Sequence, residues 1–251
     1  MLAKLVGWML LGVVRLLTGA QARWYGCPPK AEQRIYFANH QSHADLVMIW
    51  AALPEELRSI TRPIAARDYW ANTPFKRWIT TEVFNAVYVE RGTASPPVAP
   101  ASPPVSAAPG ERIEPSMEPV APAQLPLVAP EPAVEAALPP AAEGPDPLAP
   151  LIEALTSGDS IIIFPEGTGG HAGEPQKFKS GLYTLATLFP DVVLVPAWID
   201  NIQRVMPKGE VVPVPILCSV TFGAPLQVEA GEERRPFLDR ARAAVIALRD
   251  V

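Results

Sequence analysis

Two short stretches of this chain hold side chains that can do chemistry. In "NHQSHAD" (39–45), two of the chain's three histidines, a serine and an aspartate fall within seven residues. Histidine readily takes and returns a proton near neutral pH, and a neighbouring carboxylate can fix its tautomer and stabilise the imidazolium. His40, His43 and Asp45 therefore have the makings of a proton-handling device. A structural reading fits the same residues. Ser42-His43-Ala44-Asp45 matches the S-x-x-[DE] capping box, in which the acid satisfies an N–H of a first helical turn. Ser42 then reads as a helix N-cap and not as a nucleophile. Both readings stand on local grounds, and nothing local ranks His40 above His43.

The second stretch is "IIIFPEGTGG" (161–170), followed by "KFKSG" (177–181). An apolar run leads into Glu166, an acid with no evident structural need, which makes it a site candidate. Gly167, Gly169 and Gly170 let backbone amides approach a ligand closely. Lys177 and Lys179 suit either a solvated face or an anionic group. Cys27 and Cys218 lie far apart without metal-ligand spacing, so neither a metal site nor a disulfide framework is expected. No GxGxxG or Walker-type loop is present.

These residues need a scaffold, and the apolar pattern supplies an α/β one. Strands are expected at 34–39, 59–66, 85–90, 160–165, 192–199 and 216–222, and helices at 43–53, 74–81, 148–157, 178–188 and 233–249. "NHQSHAD" then sits where a strand gives way to a helix, a turn that places catalytic groups well in α/β domains. Strands apolar throughout, such as "SIIIFP", imply a sheet covered on both faces.

Residues 94–150 break the pattern. They hold 17 of the 31 prolines, no aromatic residue, and seven acids against Arg112 alone. Such a composition cannot bury enough apolar surface to order itself, so 94–147 reads as a disordered Pro/Ala-rich insertion. Without it the net charge of −5 becomes about neutral, and the N-terminal portion is basic (Lys4, Arg15, Arg23, Lys30 and Arg34 against Glu32). Basic residues beside an apolar run suit an anionic membrane surface and not nucleic acid. The run itself, "LVGWMLLGVV" (5–14), is shorter than the roughly 20 residues a spanning helix needs. It reads as an interfacial helix with Trp8 and Trp24 at headgroup depth, as a short span, or as a signal peptide cleaved near Ala20-Gln21-Ala22.

Taken together and in order, Asn39-His40 with Ser42 and Asp45, then "VYVERG", "FPEGT" and "VVLVPAWI", resemble the motifs of the glycerolipid acyltransferase family. The resemblance is to its bacterial 1-acylglycerol-3-phosphate (lysophosphatidic acid) acyltransferases, and it covers nearly the whole chain outside the insertion. It implies a single glycerol-3-phosphate-acyltransferase-like α/β domain, made of 31–93 and 148–251. A mixed, largely buried sheet would be flanked by helices, and residues 1–30 would form a membrane-associating segment. It also implies that His40, paired with Asp45 in H-x-x-x-x-D, is the general base. Arg67, Arg91, Glu166, Gly167 and Thr168 fall to acceptor binding, with Lys177 and Lys179 as candidate phosphate contacts. Pro196 would shape the acyl side of the pocket.

The implied reaction moves a fatty acyl group from acyl-CoA or acyl-carrier protein to the free hydroxyl of 1-acylglycerol-3-phosphate. No cofactor beyond that co-substrate is implied. The partners would be a lysophospholipid acceptor, an acyl donor and the phospholipid surface, at the cytoplasmic face of a bacterial inner membrane. No partner for the proline-rich insertion is indicated. Gly169 stands where the family usually has arginine, and Glu90 where it more often has aspartate. The first departure keeps open a different lysolipid or amino-acid-lipid acceptor. A catalytically silent lipid-binding or scaffold protein is the alternative of another class.

Overall fold

The runs that are apolar throughout become the middle of a sheet. The computed structural model describes residues 2–42, 44–90, 146–167, 174–201 and 216–251. Over these the strands are β1 (Gln21–Trp24), β2 (Arg34–Ala38), β3 (Thr61–Ala66), β4 (Val87–Val89), β5 (Ser160–Ile163), β6 (Val193–Asp200) and β7 (Ser219–Phe222). They lie in the order β1-β7-β6-β2-β5-β3-β4. Every pairing is parallel except β6 with β7, so the expected mixed sheet is found. Parallel strands are joined through helices that cover both faces, which is why β2 and β5 are buried at every residue.

Alternation along each strand divides the interior in two. Tyr36, Ala38 and Ile162 join the core under helix α2 (Ala44–Ala52), with Leu46, Met48 and Ile49. Ile35, Phe37, Ile161 and Ile163 face the opposite core, beneath α6 (Ala149–Thr156), α7 (Gly181–Leu188) and α8 (Arg234–Ala247). Helix α2 is so apolar after Asp45 that it must be packed nearly all round, and Pro54 ends it by disfavouring helical backbone at Leu53.

The end of β2 is locked by a side chain acting as a strand. Asn39 accepts a hydrogen bond from Ile199 N at 2.7 Å and donates one to Ile199 O at 3.0 Å, pinning the start of the next loop to β6. Pro196 also stands in β6, opposite Phe37 of β2. It lacks an N–H, and the antiparallel ladder with β7 begins one residue later, at Ala197.

Helix α1 (Leu2–Thr18) is longer than the apolar run that announced it. Leu10, Leu11 and Val14 pack on the core, while Leu2, Leu5, Trp8, Met9, Val13 and Leu16 stay exposed, Trp8 at 73% and Leu16 at 84%. At 1.5 Å per residue the helix reaches about 26 Å. Among the described residues no helix is long and apolar enough to cross a membrane. Trp24 does not accompany Trp8. It belongs to β1, which pairs with β7, and its ring stacks on Phe222 with centroids 4.2 Å apart.

Four elements depart from the expected set. β1 carries Gln21 and Arg23 on its exposed side and so lacks an apolar run. The helices α3 (Glu55–Ser59) and α4 (Arg67–Trp70) are too short to show a helical period. Helix α5 (Pro74–Trp78), capped by Thr73 Oγ1 accepting from Lys76 N at 3.2 Å, runs into a wider π turn over Ile79–Val83. The proline-rich segment lies outside the described residues apart from Asp146 and Pro147, as does His43.

Candidate functional site

Strands β2 and β5 are parallel neighbours, with Phe37 opposite Ile163. Their carboxyl ends therefore open on the same side of the sheet, where open α/β sheets place their sites. This brings "NHQSHAD" beside "FPEG", although 126 residues separate His40 from Glu166 in the chain.

In the first turn of α2 the contacts of Asp45 fit both readings. Asp45 is fully buried, and its Oδ2 accepts from Gln41 N at 2.6 Å and Ser42 N at 2.8 Å. The Ser42 contact is the acid's half of a capping box. The same oxygen lies 2.9 Å from His40 Nδ1. A ring that donates from Nδ1 carries its lone pair on Nε2, so the pair defines the nitrogen that can take a proton. The His40 ring is stacked on Phe164, with centroids 4.6 Å apart and planes 26° from parallel. Phe164 follows β5 directly. Register was the signal for it: one residue past the Phe37–Ile163 pair, β5 must present a side chain beside the start of the His40 loop.

Glu166 has the structural role its sequence context did not reveal. It is 2% exposed; Oε1 accepts from His40 N and Oε2 from Gln176 N, each at 2.8 Å. Gly167 follows with φ +74°, a conformation that favours glycine. A Cβ there would lie 2.5 Å from Lys179 Nζ and 2.6 Å from its Cε, so the lysine side chain runs across the space the glycine leaves.

A cavity of about 430 Å³ opens against this cluster. Its wall is largely apolar, with Leu46, Trp70, Leu151 and Leu182 among its residues, and His40, Gly167 and Lys179 at its polar side. Glu90 and Asp146 also border it. Such a space suits a ligand with an apolar tail and one reacting polar end.

The structure thus brings together His40, Asp45, Glu166, Gly167 and Lys179. Arg67 opens α4, exposed, with its guanidinium 5.8 Å from the centre of the Tyr88 ring; it does not line the cavity, although Ala66 and Trp70 on either side do. Lys177 is exposed and Pro196 lies in β6, neither on the cavity wall. Arg91 and Thr168 lie outside the described residues. Among the described residues no cluster of His, Cys, Asp and Glu could hold a metal ion. The two cysteines are buried, and neither lines the cavity. Burial raises the Cys27 thiol pKa, and burial with the nearby Asp200 charge pushes that of Cys218 up to about 11, so both stay protonated and poorly nucleophilic near neutral pH.

Comparison with known proteins bears on the family and the fold. A model of the family described as Acyltransferase matches residues 27–200. Among solved structures, the 1-acyl-sn-glycerophosphate (LPA) acyltransferase PlsC from Thermotoga maritima is similar, with a TM-score of 0.58 and 18% identity. That match covers 99% of this chain and 80% of the other, and at such identity it is a likeness of fold. No match is found among curated proteins.

Proposed function

This chain belongs to the Acyltransferase family and is an acyltransferase; from that premise we propose that it transfers a fatty acyl group from a thioester donor to lysophosphatidate, giving phosphatidate. The observation that carries the reading is the 2.9 Å contact between His40 Nδ1 and Asp45 Oδ2 at the edge of an apolar cavity.

The chemistry follows from that pair. His40 Nε2 takes the proton of the acceptor hydroxyl as its oxygen attacks the thioester carbonyl, and Asp45 stabilises the imidazolium. The tetrahedral adduct collapses, the carbon–sulfur bond breaks, and the imidazolium returns the proton to the departing thiolate. No seryl or cysteinyl intermediate is needed, in keeping with two protonated, buried thiols. The Phe164 face offers the imidazolium its negative quadrupole as the charge forms. Holding both substrates against His40 supplies much of the acceleration. The apolar wall takes the acyl chain.

Arg67, Arg91, Lys177 and Lys179 are the cations assigned to the acceptor phosphate, Lys179 bordering the cavity beside His40. The exposed apolar row of α1 rests on the bilayer that holds acceptor and product. Acyl-CoA and acyl-carrier protein are cytosolic donors, which places the enzyme on the cytoplasmic face.

Thiol release from acyl-CoA with lysophosphatidate in vesicles tests the reading. Release that depends on the acceptor and is lost in His40→Ala is expected; an unchanged rate in His40→Ala removes the base. A second reading rests on Gly169, which stands where the family's usual arginine would meet the phosphate. It takes a different lysolipid as acceptor, and a panel of lysolipids and amino-acid lipids separates the two. Liposome binding without turnover on any acceptor would favour a silent scaffold. The His40–Asp45 contact argues against a scaffold, because capping the helix requires only Asp45.

A further inference from the structure

We propose that Glu166 is a positioning residue of the reaction, one that fixes the main chain of His40 and does not bind the acceptor. The inference rests on His40 being the base, and it assigns Glu166 a different task from the one the family motif implies.

Three observations carry it. Glu166 is 2% exposed and does not line the cavity, although Pro165 and Gly167 on either side of it do. Each of its oxygens accepts a backbone N–H at 2.8 Å, one from His40 and one from Gln176. The chain before His40 is pinned separately, because Asn39 exchanges two hydrogen bonds with Ile199 of β6. His40 is therefore held between two strands, by the Asn39 amide on one side and the Glu166 carboxylate on the other.

The same loop also controls the ring. Phe164, two residues before Glu166, supplies the surface on which the imidazole is stacked. Asp45 sets the direction of Nδ1 from the helix, while Phe164 and Glu166 set the ring's plane and its anchor point from β5. An ionised carboxylate accepts on both oxygens, so it can serve two facing N–H groups. A carboxamide of the same shape turns an NH2 toward one of them and loses that bond. A shift of about 1 Å in a reacting group is enough to cost a rate of order 10²-fold, so a backbone bond can weigh on kcat without touching substrate.

The test is a cycle of Glu166→Gln, His40→Ala and the double variant in the full-length protein, assayed for thiol release with lysophosphatidate vesicles and acyl-CoA. Glu166→Gln is expected to lower kcat by about 10–100-fold while KM for the acceptor stays within about twofold. Added to His40→Ala it should cost nothing further, because it acts through the ring. A tenfold rise in acceptor KM with kcat retained, or a full additional loss in the double variant, overturns the proposal. Glu166→Asp keeps the charge but shortens the reach; it is read in parallel in case the amide variant fails to fold, with the same kcat-only pattern expected and a KM effect overturning it. A second arm needs no turnover. In 15N-histidine-labelled protein, the Nδ1 proton resonance that Asp45→Asn removes should shift or broaden in Glu166→Gln, and an unchanged resonance overturns the proposal. Wild-type protein that releases no thiol would sink the lysophosphatidate reading alone, since the resonance still decides the role of Glu166.

Discussion

Two turns meet at His40, and each brings one buried carboxylate. In the first turn of α2, Asp45 gathers the His40 ring and two backbone amides on Oδ2, while Oδ1 has no hydrogen-bond partner among the described residues. In the turn after β5, Glu166 divides its two oxygens evenly, one to the His40 amide and one to the Gln176 amide. The first carboxylate contacts the imidazole; the second contacts the chain that carries it. Two acids equally close to one histidine in the fold thus hold different parts of it. Distance to the histidine does not by itself tell a group that contacts the ring from one that holds the backbone.

Substitutions that make the two turns unequal in activity sharpen the contrast. The largest effect is expected from Asp45→Asn, which leaves the volume but removes the group that orients and stabilises the ring. Thiol release should fall by roughly 10²–10⁴-fold with little change in acceptor KM. Glu166→Gln should cost less, about 10–100-fold in kcat, because the ring keeps its bond to Asp45. Equal losses at the two acids would break the distinction. Gly167→Ala should cost less again. It forces φ +74° on a residue with a side chain, about 1–2 kcal/mol of strain, and pushes Lys179 off its path. A several-fold rise in acceptor KM, measured with kcat held apart, is the expected readout. The smallest effect lies outside both turns, on the apolar row of α1. Trp8→Ser should weaken vesicle co-sedimentation several-fold while turnover on detergent-dispersed acceptor stays within about twofold.

How far these features are legible in the sequence differs by element. The strands β2, β5 and β6 stand out because burial on both faces confines their polar residues, Arg34, Ser160 and Asp200, to the strand ends. β1 is hidden because its Gln21 and Arg23 face solvent, and it is recognisable as a strand only through its pairing with β7. Residue spacing shows that Asp45 can cap a turn; that it also reaches the ring follows from His40 lying just past the end of β2, where the chain turns back toward the helix. Ranking His40 above His43 needed the distant "FPEGT" and "VYVERG" stretches, and the family they indicated is the one to which the chain belongs. The partners of Glu166 could not be read at all. Both are backbone amides, which carry no residue-type signal, and one lies 126 residues away. Phe164 was hidden for a related reason, since a stacking role depends on strand register and not on local pattern.

The most direct test of the central claim is acceptor-dependent thiol release by the full-length protein on lysophosphatidate vesicles with acyl-CoA, in wild type and in His40→Ala. Release is expected in the wild type, stopping when the acceptor is left out and falling by at least about 10²-fold in His40→Ala. Release at the wild-type rate from His40→Ala would contradict that claim.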